Sequence, residues 1–167
     1  MLKKTNLLMK ELRKFGIDIA GLSETKWFDS NIYSTEGYTI LSSGRPLPKD
    51  GEHMHRGEGV GIALGKRATE AWVAGGQVWE PVSSRVMSAR LLVGGEGCKA
   101  QYVQFISVYA PTFAAKQAVK EHFFAHLQGV LDRTATNDIL VIVGGFNARV
   151  GSRTGDIDLC TGHVWSR

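Results

Sequence analysis

Three apolar segments of this 167-residue chain each deliver a polar group at their carboxyl end. Residues 17–22 run into Ser23-Glu24-Thr25-Lys26-Trp27. Residues 105–108 run into Tyr109-Ala-Pro-Thr112, and residues 139–143 into Gly144-Gly-Phe-Asn147-Ala-Arg149. Ligands of open α/β sheets gather at the carboxyl ends of strands. A carboxylate, a phenol and a carboxamide at three such ends are therefore candidates for one site. A hard cation such as Mg²⁺ takes oxygen ligands, often one or two carboxylates together with substrate phosphate. A phenol and an amide hydrogen-bond phosphate oxygens. The combined chemistry is metal-assisted hydrolysis of a phosphodiester. Each residue alone has a plainer reading: Glu24 as a loop or cap residue, Tyr109 as packing, Asn147 as a turn former.

The elements that must position these groups follow from periodicity. Leu8, Leu12 and Phe15 recur at helical spacing, and Gly16 ends that helix. Residues 17–22, 38–42 and 59–64 read as strands, with a loop over 43–57. Residues 85–93 and 102–109 read as an antiparallel hairpin around Gly94-Gly-Glu-Gly97. Pro111-Thr112 opens a helix of about 18 residues whose stripe is Val119, Phe123, Leu127 and Val130, with Phe124 and Leu131 alongside. Residues 139–143 read as a central strand buried on both faces, and the last 20 residues as loop. This order is that of a mixed α/β layer protein.

Composition narrows the class. Hydrophobic residues at 43 % and charged residues at 22 % fit a folded domain and exclude disorder. The longest strictly aliphatic run, residues 139–143, is far short of a membrane span. No secretory signal opens the chain, and Cys98 and Cys160 cannot build a disulfide framework. An intracellular protein, nuclear or cytoplasmic and not secreted, is expected. A net charge of +4 permits a polyanionic partner without demanding one.

Four strings carry a resemblance: Asp18-Ile-Ala-Gly-Leu-Ser-Glu-Thr-Lys-Trp27, Gly59-Val-Gly-Ile-Ala-Leu64, Ser107-Val-Tyr-Ala-Pro-Thr112 and Gly144-Gly-Phe-Asn-Ala-Arg-Val-Gly151. In order and spacing the chain resembles the endonuclease/exonuclease/phosphatase superfamily. Within it, the similarity is greatest to the endonuclease domains of LINE-type retrotransposons and to craniofacial development protein-like sequences. The resemblance implies a four-layer α/β/β/α sandwich, partial here, with residues 1–151 the N-terminal part of the domain and 152–167 an irregular tail. It implies Glu24 as the ligand of Mg²⁺ or Mn²⁺. Tyr109 and Asn147 become catalytic contacts to the scissile phosphate and the attacking water, with Lys26 and Trp27 in support. DNA is the implied partner, with no membrane and no small-molecule cofactor. The implied reaction is in-line attack of water on a phosphodiester, leaving a 3′-hydroxyl.

Three departures bear on activity. Gly145 stands where the family's G-D-F-N motif has its aspartate, which orients or deprotonates the water. The family's opening strand should precede the first helix, and this chain begins at that helix. The C-terminal half is missing; Gly162-His163-Val164 does not match its aspartate-histidine pair. An impaired nuclease is expected, with an inactive or binding-only remnant as the alternative. A phosphatase or phosphoinositide hydrolase of the same superfamily is the lesser option.

Other motifs have plainer readings. Residues 57–65 are glycine-rich but lack the lysine of a phosphate loop. His53 and His55 have no third ligand at useful spacing, and His122 and His126 lack the glutamate of a zinc helix. Arg45, Lys49, Arg56, Lys66 and Arg67 are candidates for a basic rim along a nucleic-acid backbone, or for a solvated loop.

Overall fold

Strands apolar on both faces must be covered on both faces, and this requirement sets the layers. The computed structural model describes residues 2–49, 57–94 and 99–148. One sheet holds β1 (Ile19–Ser23), β2 (Ser30–Thr35), β3 (Tyr38–Ser43) and β4 (Val60–Leu64), antiparallel in the order β1-β4-β3-β2. The other holds β5 (Trp79–Ser83), β6 (Val86–Val93), β7 (Gln101–Tyr109) and β8 (Ile139–Gly145) in sequence order, with only β7 and β8 parallel. The helices are α1 (Leu2–Lys14), α2 (Lys66–Ala74) and α3 (Gln117–Arg133).

A side-chain period of two sorts each strand between layers. Val60, Ile62 and Leu64 of β4 meet Met87, Ala89 and Leu91 of β6 and Phe105 of β7 in a central core. Trp72 of α2 enters the same core. On the other face of the first sheet, Ile40 and Ala63 pack with Met9 of α1. On the outer face of the second, Ile106 and Val108 pack with Phe123 and Val130 of α3. The layers are α1, sheet, sheet, α3, as the resemblance implies. The two sheets approach tightly at Gly21: a Cβ there would lie 2.3 Å from Val143 Cγ2.

Several expectations need correction. The buried face of α1 runs through Thr5, Met9 and Leu12, while Leu8 and Phe15 are exposed. α3 starts at Gln117, five residues after Thr112, and Val119 and Phe124 on it are exposed. β8 is an edge strand among the described residues, with Ile139 and Leu140 nearly half exposed, not a central strand. β2, α2 and β5 have no counterpart among the expected elements. The hairpin turn expected over 94–97 lies beyond Gly94 outside the described residues, as do Cys98, Cys160 and the tail after 148.

Candidate active site at one end of the sandwich

The alternation that builds the central core continues to the strand ends and aims specific residues inward. Ile19 of β1, Tyr109 of β7 and Val143 of β8 border the central core. Ser23 and Gly145, respectively four and two residues further along their strands, share that face. The convergence is direct: a Cβ on Gly145 would lie 3.3 Å from Tyr109 Cδ2 and 3.5 Å from Ser23 Oγ. Tyr109 and Gly145 are register partners in the parallel β7–β8 pair. Ser107 Oγ donates to the Leu22 carbonyl at 3.3 Å, tying the second sheet to β1 beside this point.

Glu24 follows Ser23 directly and leaves the strand with φ +54°. It is exposed and lines a cleft of about 350 Å³ between α1 and the end of β1, with Ser23, Thr25 and Trp27. Asn147 also has positive φ, +46°, and its Nδ2 donates to the Ala110 carbonyl at 2.7 Å. This bond fixes the amide beside the residue that follows Tyr109. Lys26 is exposed on the turn after Glu24. Trp27 is half-buried, packs against the core beneath α1 and meets Tyr33 edge-to-face at 5.9 Å. Its contacts anchor the Glu24 turn to the first sheet.

The two glycines before Phe146 differ in kind. Gly144 has φ +136°, and a Cβ there would fall 1.9 Å from the Val108 carbonyl oxygen, so only glycine fits. Gly145 is free of that restriction. A side chain there would need its neighbours to give by only a few tenths of an ångström and would point at Tyr109 and Ser23.

Residues able to hold a cation are few. Among the described residues no three His, Cys, Asp or Glu side chains group around one point. Glu24 alone fits a hard cation that keeps most of its water and takes further oxygens from substrate, which is how Mg²⁺ is commonly held. A tightly held ion bound by protein alone does not fit.

A second carboxylate was missed. Glu58, just before β4, accepts from Arg45 Nε at 2.9 Å, Arg85 Nη2 at 2.9 Å and Ser84 Oγ at 2.5 Å. Burial pushes its carboxyl up, but the hydrogen bonds from Arg45 and Ser84 and the charges of Arg85 and Arg45 outweigh this and hold it at about 2. Arg85 also donates through Nη1 to the Tyr109 carbonyl at 3.0 Å, and its guanidinium carbon lies 5.0 Å from the centre of the Tyr109 ring. Partners 13 to 27 residues apart give no spacing to read. The only trace in the sequence is a carboxylate between glycines immediately before a strand.

The supposed basic rim is partly neutralised. Arg45 pairs with Glu58, and Arg67 pairs with Asp18 at 3.0 Å. Arg56, His53 and His55 lie outside the described residues. His122 and His126 lie on α3 with ring centres 6.2 Å apart. Among the described residues no helix is long and apolar enough to cross a membrane.

No protein-family model matches the chain. It is similar to craniofacial development protein 2 of Bos taurus and of Tragulus javanicus, 29 % identical to each over 150 residues. That span is 90 % of this chain and 23 % of either relative, so the chain spans about a quarter of their length. Its structure superposes on the catalytic domain of Xenopus laevis APE2 with a TM-score of 0.55 at 18 % identity, over 84 % of this chain and 53 % of that one. The fold is of the endonuclease/exonuclease/phosphatase type. Both sheets contribute to the candidate site: Ser23 ends β1 and Glu24 follows it, while Tyr109 ends β7, Gly145 ends β8 and Asn147 lies just beyond.

Proposed function

We propose that this strand-end cluster is a phosphodiesterase site of the nuclease type, acting on DNA, and that Gly145 leaves it strongly impaired. Residues 1–151 are read as the N-terminal part of such a domain and 152–167 as its tail. The observation that carries the reading is the position of residue 145. An inward-pointing side chain there would reach Tyr109 and Ser23, next to Glu24.

Glu24 would hold Mg²⁺ or Mn²⁺, which when bound offsets charge on the phosphate and on the leaving oxygen. The Tyr109 hydroxyl donates to a non-bridging phosphate oxygen. One amide proton of Asn147 is committed to Ala110; its second proton and its carbonyl oxygen serve phosphate and the attacking water. Lys26, exposed beside Glu24, adds positive charge at the rim, and Trp27 keeps the turn in place. Water attacks phosphorus in line, the bond to the leaving oxygen breaks, and a 3′-hydroxyl results. With no carboxylate at 145 to accept it, the proton released by that water passes to solvent, and solvent supplies the proton of the 3′-hydroxyl. Losing a positioned general base costs about 10²–10⁴-fold.

The same glycine favours a second reading, a remnant that binds DNA without cutting it. Nicking of supercoiled plasmid in millimolar Mg²⁺ or Mn²⁺ separates the two. Slow, metal-dependent nicking that disappears in Glu24→Ala is expected. Equal nicking by Glu24→Ala would overturn the assignment of Glu24. DNA binding without nicking would favour the remnant.

A further inference from the structure

Glu58 lies at the catalytic end of the sandwich, yet both its oxygens are engaged. Its side chain is 12 % exposed, and that of Arg85 is 18 % exposed. Arg85 is a planar fork with one prong on Glu58, one on the Tyr109 carbonyl, and its cationic centre beside the Tyr109 ring. The backbones of Arg85 and Tyr109 are joined as well, Tyr109 N donating to the Arg85 carbonyl at 2.8 Å. Residue 58 also adjoins the Glu24 side: Gly59 donates to the Ser84 carbonyl at 3.0 Å and accepts from Thr25 N at 3.1 Å. Arg45, the other cation on Glu58, bridges by its backbone to Phe28 and accepts from Asp29 N at 2.8 Å. One carboxylate thus joins the turn that carries Glu24 to the strand end that carries Tyr109.

We propose that Glu58 is a positioning residue that acts through Arg85, holding the Tyr109 ring in the orientation its phosphate contact requires. The proposal rests on the reading of Tyr109 as a phosphate contact. Without Glu58 the guanidinium loses the partner that fixes its plane, and the ring loses the face it rests against. The electrostatic alternative predicts the opposite sign. Two arginines against one carboxylate give the cluster +1, and Glu58→Gln raises it to +2. A role confined to local charge therefore predicts tighter phosphodiester binding in that variant.

The test reads the ring first and activity second. The chain has four tyrosines, so ¹³C-labelled tyrosine gives four ring signals, and Tyr109→Phe identifies the one of interest. In Glu58→Gln the Tyr109 signal is expected to shift and broaden, while those of Tyr33, Tyr38 and Tyr102 stay in place and report an intact fold. An unmoved Tyr109 signal in a folded Glu58→Gln protein overturns the proposal. Should all four signals collapse, Arg85→Lys decides instead. Lysine keeps the charge beside Glu58 but cannot span both partners with a flat fork, so the Tyr109 signal must move there too.

In the nicking assay Glu58→Gln is expected to lower kcat about 10- to 100-fold at unchanged KM, as losing an outer-shell partner does. In a Tyr109→Phe background it should cost nothing further. An additional loss there would show that Glu58 acts independently of Tyr109, and would overturn the proposal. If no variant nicks plasmid, the phosphodiesterase reading falls, and the ring signals still decide the role of Glu58.

Discussion

Glu58 and Asp138 are held below the ordinary carboxyl range, and each is held there with arginine. Asp138, at the start of β8, accepts two bonds from Arg90 at 2.6 and 2.9 Å, and those bonds lower its pKa. The guanidinium of Arg90 in turn lies 3.6 Å from the Tyr102 ring centre. A carboxyl lowered in the folded state contributes stability that is complete above its unfolded pKa. That stability is lost as pH falls through the folded value. Glu58, at about 2 against an ordinary 4.5, contributes at most about 3 kcal/mol above pH 5, and solvent screening of the half-buried carboxyl lowers that figure. Through these two carboxyls the melting temperature is therefore expected to fall between pH 5 and 2. Asp138→Asn should cost about 1–3 kcal/mol at neutral pH, because Arg90 loses its two charge-assisted hydrogen bonds. It should also flatten the acid limb. A thermal melt series in both proteins checks this; identical acid limbs would contradict it. At this scale the sequence is unequally informative. Glu24, Tyr109 and Asn147 are legible because each follows an apolar run. Glu58 and Arg85 acquire meaning only when β4 and β6 come together.

Among the elements, β1 does the most to bring the two sheets together at the site. Its inward face is Ile19, Gly21 and Ser23, and the glycine admits Val143 where any side chain would collide. Gly21→Ala is expected to destabilise the protein by about 1–3 kcal/mol, the usual range for overpacking. Val143→Ala removes the methyl it strikes, so the double variant should recover part of that loss. Strictly additive melting shifts would mean that Gly21 matters for another reason.

The elements legible in the sequence are the strands with long or alternating apolar runs, β1, β3, β4, β6, β7 and β8, and the helices with apolar residues at helical spacing, α1 and α3. β2 was not, because Ser30–Thr35 carries few apolar residues. Its signal was the two-residue turn Glu36-Gly37, with φ +51° and +80°, which returns Thr35 onto Tyr38. β5 is hidden by Pro81, which is tolerated because, among the described residues, β5 is an edge strand whose register shifts at that point. α2 is nine residues long, with only Ala68 and Trp72 buried, too short for a periodic pattern to stand out.

At the scale of the molecule, the four layers explain how residues 24, 58, 109, 145 and 147 reach one end of the sandwich. Strand polarity does this: β1, β7 and β8 all end there, and β4 and β6 begin there. The fold class was legible from element order together with the four motif strings. The standing of β8 was not. A run of five aliphatic residues reads alike for a central strand and for an edge strand covered on one face by α3 and on the other by β1. The chain aligns with about half of the APE2 domain and about a quarter of its sequence relatives.

The proposed site lacks one carboxylate, at a position where a side chain would face Tyr109 and Ser23. Metal-dependent plasmid nicking by Gly145→Asp, beside the unaltered chain and with melts to confirm folding, tests that claim most directly. A gain of about 10²–10⁴-fold is predicted, the range of a restored general base, and Glu24→Ala should abolish it. A folded Gly145→Asp protein that nicks no faster than the unaltered chain would mean that residue 145 is not where the missing base belongs.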